Sequence, residues 1–392
     1  MDLQQSIQNQ SDFSLSLAKH VITTHARDKN LVFSPLSIHI ALSMVAAGSD
    51  GPTRDELLGF LKSKSIEDLN FLVSEIVTGV FSKSNGGHRR PRLSLANGVW
   101  VEQSNRLKPA FREIMHNSYK AVSNHVDFQN KAEEVREEVN AWAEKETNGL
   151  IKDLLQPGSI SSDAMLILAN AVYFKGTWQE EFDEWDTIDF EFFLQSGSSV
   201  KARFMCGGGC YQFIRAFDGF KVLRLPYVKA EDNNRKFSMY FFLPDAKDGL
   251  PDLVKKFGSE SRFIENHIPH KAVKAGNFII PKFKIGFGFE ASGLVNGLGV
   301  VHPFFGGGGV SEMVEEVLYV SKIFHKSFIE VNEQGTEAAA VTEDEMGMGW
   351  CMEEERETTV DFVADHPFLF VVREDVSGVV LFVGQLLNPL DE

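Results

Sequence analysis

Apolar positions recur at helical spacing in the N-terminal half of the chain and mostly at strand spacing in the C-terminal half. Phe13, Leu17 and Val21 stand four apart with Ile22 beside them, which predicts an amphipathic helix. Ser34-Pro35 predicts a second helix start, with Pro in the first turn. Thr53-Arg54-Asp55-Glu56 has the form of a capping box and predicts a third. A long charged helix is expected over 131–148, closed by Gly149 in a left-handed cap. Leu93, Leu95, Asn97, Val99 and Val101 alternate with the two-residue period of a strand. Positions 165–174 are apolar almost throughout, as in a strand buried on both faces. Further strands rich in Val, Ile and Phe are expected over 237–243, 272–285, 318–331, 362–372 and 379–387. Helices early and strands late imply an α+β domain built on large sheets. No Pro/Ser/Gly linker interrupts the pattern, so one domain over 1–392 is expected, although the length could hold two or three.

The stretch at about 333–360 fits neither period, and its second half is acidic, so it is expected to project. In its first half Thr336, Ala338, Ala340, Thr342 and Asp344 would share one face of an extended chain. Four of the five are small or β-branched, so such a strand could slide between two existing strands. Gly335 in front supplies the backbone freedom of a hinge. From the residues alone, a flexible low-complexity loop remains an equal reading.

Charge narrows the partners. Lys and Arg total 39 against 55 Asp and Glu, a formal charge of -16, which argues against nucleic acid and anionic membranes. It favours a soluble monomer. No apolar run approaches the roughly 18 residues needed to cross a bilayer. Residues 1–11 lack the charged-then-apolar pattern of a signal peptide. Cys206, Cys210 and Cys351 are too few for a disulfide framework and fit a reducing compartment. The cytosol or nucleus is the expected location, with non-classical export left open.

Other motifs carry less. Cys206 and Cys210 lack the second pair that structural zinc needs, and read as flanking a turn. His267 and His270 are separated by Pro269, which favours a loop over a metal-binding helical face. The glycines 306–309 lack the Lys-Ser/Thr of a phosphate loop and read as a surface turn. His88-Arg89-Arg90-Pro91-Arg92 is a basic cluster that could meet a polyanion, though a solvated loop suits it better. No hydrolase signature occurs, so an enzyme is not expected, and neither is a cofactor or a metal.

Several motifs, in order and at matching separations, resemble the serpin family and its land-plant members, from about Phe13 to Pro389. They are Phe33-Ser34-Pro35-Leu36-Ser37-Ile38, and Asn170-Ala171-Val172-Tyr173-Phe174-Lys175-Gly176-Thr177-Trp178. Next comes the run 326–340, ending Glu333-Gln334-Gly335-Thr336-Glu337-Ala338-Ala339-Ala340. Last are Asp365-His366-Pro367-Phe368 and Gly384-Gln385 with Asn388-Pro389. The resemblance implies an α+β serpin fold of three β-sheets and about nine helices with an exposed reactive-centre loop. It also implies a suicide inhibitor of a serine or papain-like cysteine protease. The cleaved loop would enter the central sheet and leave the protease as a covalent complex.

Roles follow by motif. Glu333 and Gly335, Thr336, Glu337, Ala338, Ala339 and Ala340 would form the hinge. Asn170 and His325 would hydrogen-bond near Ser34 and Ser37 where the sheet parts. Trp178, Lys282 and Glu333 would surround the point where insertion begins. Spacing from Gly335 places the reactive bond at Gly349-Trp350, whereas the downstream residues place it at Met348-Gly349. Met348 is preferred because Gly349 offers a specificity pocket almost nothing. Asp344 would face inward after insertion, and an unpaired buried carboxylate costs several kcal/mol. The alternative is therefore a non-inhibitory carrier, chaperone or storage protein of the same fold.

Overall fold

A computed structural model describes residues 2–81, 91–207, 211–229, 235–305, 309–316, 318–336 and 359–391. Helix α1 (Leu3–His25) is capped by Asp2 and buries Phe13, Leu17, Val21 and Ile22 on one face. Helix α2 (Pro35–Ala47) starts where expected: Ser34 accepts from the Ser37 amide at 3.2 Å, and Pro35 occupies the first turn. All thirteen of its residues are buried, as in a helix apolar all round at the centre of a large core.

The third start differs from expectation. Helix α3 (Gly51–Phe60) begins at Asp50, so Thr53 lies inside the helix and caps nothing. Glu56 does not reach back to Thr53. Its carboxylate accepts from the amides of Val301 and His302 at 2.9 and 3.0 Å. Helices α4 (Ile66–Gly79) and α5 (Pro109–Asn117) follow. Helix α6 (Phe128–Glu146) starts three residues early because Asp127 caps it, and Lys131 marks a kink rather than the first turn. It ends with Gly149 at φ +86°, its amide on the Glu144 carbonyl. The short helices α7 (Leu250–Phe257), α8 (Phe263–Asn266) and α9 (Ala291–Gly297) complete nine among the described residues.

The strands form three sheets. The six-stranded one contains β2 (Arg92–Glu102), β3 (Val122–Val126), β4 (Leu166–Thr177), β11 (Phe283–Glu290), β12 (Lys322–Val331) and β13 (Gly335–Thr336). Its order is β11-β12-β13-β4-β2-β3. A second runs β1 (Leu31–Phe33), β16 (Val380–Leu386), β15 (Phe368–Glu374), β9 (Phe237–Pro244), β8 (Phe220–Pro226) and β7 (Tyr211–Phe217). The third holds β5 (Ile188–Phe193), β6 (Ser199–Cys206), β10 (Val273–Pro281) and β14 (Val360–Val363). Among the described residues it joins the second through β7 and β10, at Val273↔Gln212 and Lys274↔Tyr211, which makes the two one continuous hydrogen-bonded set of ten strands.

Two expected strands are each divided between sheets. The 272–285 run breaks at Lys282, whose amide bonds the Arg203 carbonyl as the chain leaves β10 for β11. The 362–372 run breaks at 365–367, where His366 Nε2 meets the Pro244 carbonyl at 2.8 Å and Pro367 cannot donate to a ladder. Residues 318–321 precede β12 without joining it. The 165–174 run is β4, buried on both faces as expected. One face meets the main core, and the other meets a smaller core under α6 that contains Trp100, Phe128, Val139, Ile167 and Phe324.

Because Glu56 bridges to Val301 and His302 while Thr53 caps nothing, Glu56→Ala should lower the unfolding free energy by about 1–3 kcal/mol. Thr53→Val should leave it nearly unchanged. Urea unfolding of the two variants checks this, and equal losses would restore the capping box.

Candidate functional site

Strands β4 and β12 lie parallel and directly paired from Lys322↔Ile167 to Ser327↔Val172. Beyond that they part, and β13 occupies the opening, antiparallel to both, with Val331↔Thr336 on one side and Thr336↔Gly176 on the other. The reversal before β13 is an asparagine turn. Asn332 Oδ1 accepts from the amides of Gln334 and Gly335 at 3.1 and 3.2 Å. Gly335 is required by close approach, since a Cβ there would lie 2.0 Å from the Gly176 carbonyl oxygen.

Five contacts fix this turn. Trp178 Nε1 donates to the Asn332 carbonyl and its amide to Gln334, both at 2.9 Å. The Glu333 carbonyl accepts from the Phe182 amide at 2.9 Å. The Glu333 carboxylate meets Lys282 Nζ at 2.8 Å and the Thr187 hydroxyl at 2.7 Å. Burial works to raise the Glu333 carboxyl, but the Lys282 and Thr187 bonds outweigh it and hold it below the ordinary range. Thr336 is fully buried with its hydroxyl 2.6 Å from Tyr227 Oη, and the Tyr227 ring stacks on Trp178. Trp178, Lys282, Glu333, Gly335 and Thr336 thus meet at one place. Glu337, Ala338, Ala339, Ala340, Met348, Gly349 and Trp350 lie outside the described residues.

A second cluster lies lower on the same seam, at the register pair His325↔Asn170. The Ser34 amide donates to His325 Nε2 at 3.1 Å, so Nε2 must be unprotonated. The ring proton then sits on Nδ1 and points to Ser37 Oγ at 2.9 Å, while Ser37 donates to the Ser34 carbonyl. Burial pushes His325 down to about 3, so it is neutral across the physiological range. Asn170 departs from expectation. It turns to Asn97 of β2, which in turn donates to the Tyr119 carbonyl at 2.9 Å, and it makes no bond to Ser34 or Ser37. Among the described residues, buried Asn170 Oδ1 has no hydrogen-bond partner.

Tyr227, Thr187, Asn97 and Asn332 were not singled out from the sequence. Only Asn332, three residues before a glycine, carries a local turn signal. Of the other motifs, Cys210 and positions 88–90 and 306–308 lie outside the described residues. Among the described residues, no group of three His, Cys, Asp or Glu side chains is placed to hold a metal. No described helix is long and apolar enough to cross a membrane. His267 bonds the Phe263 carbonyl and packs against Phe217, Phe220 and Phe263. Cys206 is a free, half-buried thiol at the end of β6.

The family model described as serpin (serine protease inhibitor) matches residues 8–389. The chain belongs to the serpin family. It is 52% identical over 397 residues to Serpin-ZX of Arabidopsis thaliana, with all of both chains covered. The structure of Arabidopsis AtSerpin1 in its native stressed conformation matches with a TM-score of 0.90 at 51% identity, covering 100% of this chain and 99% of that one. Human thyroxine-binding globulin, in complex with its ligand, matches with a TM-score of 0.84 at 22% identity over all of both chains. The fold is therefore shared with a thyroxine-binding protein and does not by itself decide inhibition.

His325 and His39 are both held neutral by burial, at about 3 and about 4 against 6.5 when exposed. The unfolded chain takes up protons below pH 6.5 that the native serpin refuses. The contribution of these two histidines to stability is therefore complete above 6.5 and falls as pH drops toward 4, adding up to two protons to the slope. His325→Gln should reduce that slope by about one proton, as read from urea unfolding between pH 4 and 7.

Proposed function

We propose that this serpin inhibits a serine or papain-like cysteine protease by trapping its acyl-enzyme through insertion of the cleaved loop between β4 and β12. The observation that carries the reading is register. Across β13, Val331 and Gly176 oppose the same residue, in phase with the direct ladder from Lys322↔Ile167. An extension of β13 would therefore fit both neighbours without slippage. It would seat Ala338 between Ile329 and Phe174, Ala340 between Ser327 and Val172, and Thr342 between His325 and Asn170. Each parallel pair would be replaced by two antiparallel ones, which are somewhat more stable per residue. Thr342 would also bring a hydroxyl beside the unpartnered Asn170 Oδ1.

The chemistry belongs to the protease. Its nucleophile attacks the Met348 carbonyl, the Gly349 amine leaves with a proton, and Met348 remains as an ester or thioester on the enzyme. Insertion then pulls on that bond, moves it off the oxyanion donors and stalls deacylation. The protein acts once and is not a catalyst. The target and its covalent complex are the partners in this reading, the serpin itself being a monomer in the cytosol or nucleus.

A second reading has one specific support. The same register seats Asp344 between Ile323 and Leu168, both buried in the apolar core. A carboxylate there costs several kcal/mol. If insertion stops short of it, the cleaved loop behaves as plain substrate in a non-inhibitory serpin.

Incubation with chymotrypsin-like, trypsin-like and papain-like proteases, followed by denaturing electrophoresis, separates the readings. A covalent band of summed mass supports the trap, and clean cleavage without it supports the second. A released fragment beginning at Gly349 fixes the bond, and one beginning at Trp350 moves it. Nicked protein should melt well above intact protein, and equal melting temperatures would end the insertion model. Ala340→Arg should raise the molar requirement for inhibition several-fold at an unchanged rate of loop attack. Thr336 is unsuited to that test, since it is already seated on Tyr227.

Asp344→Ala should lower the stoichiometry and stabilise the nicked form by about 2–5 kcal/mol in guanidinium unfolding, with the intact form unaltered. An equal shift in both forms would show that Asp344 never enters the sheet.

A further inference from the structure

From Gly176 to Val200 the chain carries seven acidic residues and no lysine, arginine or histidine. Five of the seven fall within 180–186, and all five are exposed. In their midst is Trp185, 94% exposed, at the tip of the single helical turn Glu184–Asp186 that Asp183 caps. At 94% it stands well above the other exposed aromatics among the described residues, Phe71, Tyr211 and Phe305 at 52%, 55% and 57%, and tryptophan is a residue type that anchors interfaces.

The place of this segment gives it meaning. Phe182 and Thr187, on either side of Trp185, both bond Glu333, the residue from which the loop departs. Glu184 also borders a groove of about 470 Å³ that runs along Lys282 and the Asn332–Gln334 turn. On the other side lies a cavity of about 210 Å³, lined by Trp178, Phe182, Phe213 and Phe278 together with Glu180 and Glu181. Aromatic walls with carboxylates suit an aliphatic chain ending in a cation.

We propose that segment 180–186 is a docking surface for the cationic face of the protease that attacks the loop. Trp185 is its apolar contact, and the neighbouring cavity takes a lysine or arginine side chain. The inference rests on the inhibitor reading only in placing a protease at the loop. Contact with this surface precedes acylation and ends once the protease moves with the inserting strand. It therefore raises the rate of attack and leaves the stoichiometry unaltered.

The test compares two variants of equal net charge. One is Glu180→Gln/Glu184→Gln/Asp186→Asn with Trp185 retained. The other is Glu67→Gln/Asp252→Asn/Glu260→Gln, on α4, α7 and the turn after α7, away from Glu333. The probe is α-chymotrypsin, net cationic and accepting Met, beside the same enzyme with its surface amines succinylated. Loss of intact chain is followed, so complex and cleaved product both count. At low ionic strength the first variant should be attacked about 5- to 10-fold more slowly, with the gap closing in 0.5 M salt. The second variant should match the parent, and the succinylated enzyme, whose amines have become carboxylates, should not attack the first variant more slowly than the parent. Equal slowing of both variants, undiminished discrimination by the succinylated enzyme, or absence of any attack on the loop would overturn the proposal. Cleavage without a covalent band, at a rate still dependent on 180–186, would end the trap reading and keep the docking surface.

Discussion

The parallel ladder between β4 and β12 is the constraint on which the rest of the molecule depends. Six register pairs close the centre of the large sheet, yet between Lys322–Ser327 and Ile167–Val172 no side-chain hydrogen bond crosses the seam. The polar side chains at its midpoint turn away from each other. His325 is tied to the N-terminus of α2, and Asn170 to β2 through Asn97. Each lip is anchored to its own neighbour, so parting them disrupts backbone pairing and packing without stranding a buried side-chain pair. At the lower end Ser321 Oγ accepts from the Met165 amide at 2.9 Å and pins the strands together. At the upper end β13 props them apart.

The turn before β13 sets the phase of everything below it. A one-residue slip in a strand exchanges its two faces. The Glu333 clasp, the Trp178 bonds to Asn332 and Gln334, and the Tyr227–Thr336 contact together make such a slip costly. The Lys282 side chain is about a third exposed and that of Glu333 6%, so one partner stays hydrated while the other is buried. Such a pair contributes less in net strength than in position. Position is what an inserting strand needs, since its small residues help only if they arrive on the core side.

Much of this was legible where one residue's local chemistry decides. Ser34-Pro35 made a helix start because Ser can cap and Pro fits a first turn. The doubly apolar run 165–174 made the buried strand β4. Periodicity could not see the breaks at Lys282 and at 365–367, because a strand that changes sheet keeps its alternation while changing partners. Thr53 had the spacing of a cap, but Asp50 with Pro52 behind it offered an earlier start, and Glu56 found better donors across the fold. Tyr227 and Asn97 carry no local signal. Their roles exist only through long-range contacts, with Thr336 and with Asn170.

The acidity of the loop reads differently once parity is applied. Beyond Thr336 the even-numbered positions would face the main core and the odd-numbered ones the opposite face of the sheet. Glu337, Glu343 and Glu345 are odd. Glu337 would stand beside Glu330 and Lys175, both partly exposed near the open end of the sheet. Glu343 would stand between Phe324 and Ala169, which belong to the smaller core under α6, and Asp344 between Ile323 and Leu168 of the main core. Of the four acids between 336 and 346, Glu337 thus meets the hydrated end of the sheet, while Glu343 and Asp344 would reach the two apolar layers. Asp344 falls two residues below Thr342, past the His325–Asn170 midpoint of the seam. In the proposed trap, insertion as far as Thr342 would already replace the parallel pairing above that midpoint and bring a hydroxyl to Asn170. The cost of Asp344 would be met only in the final part of the movement, so it would oppose completion of insertion and not its start.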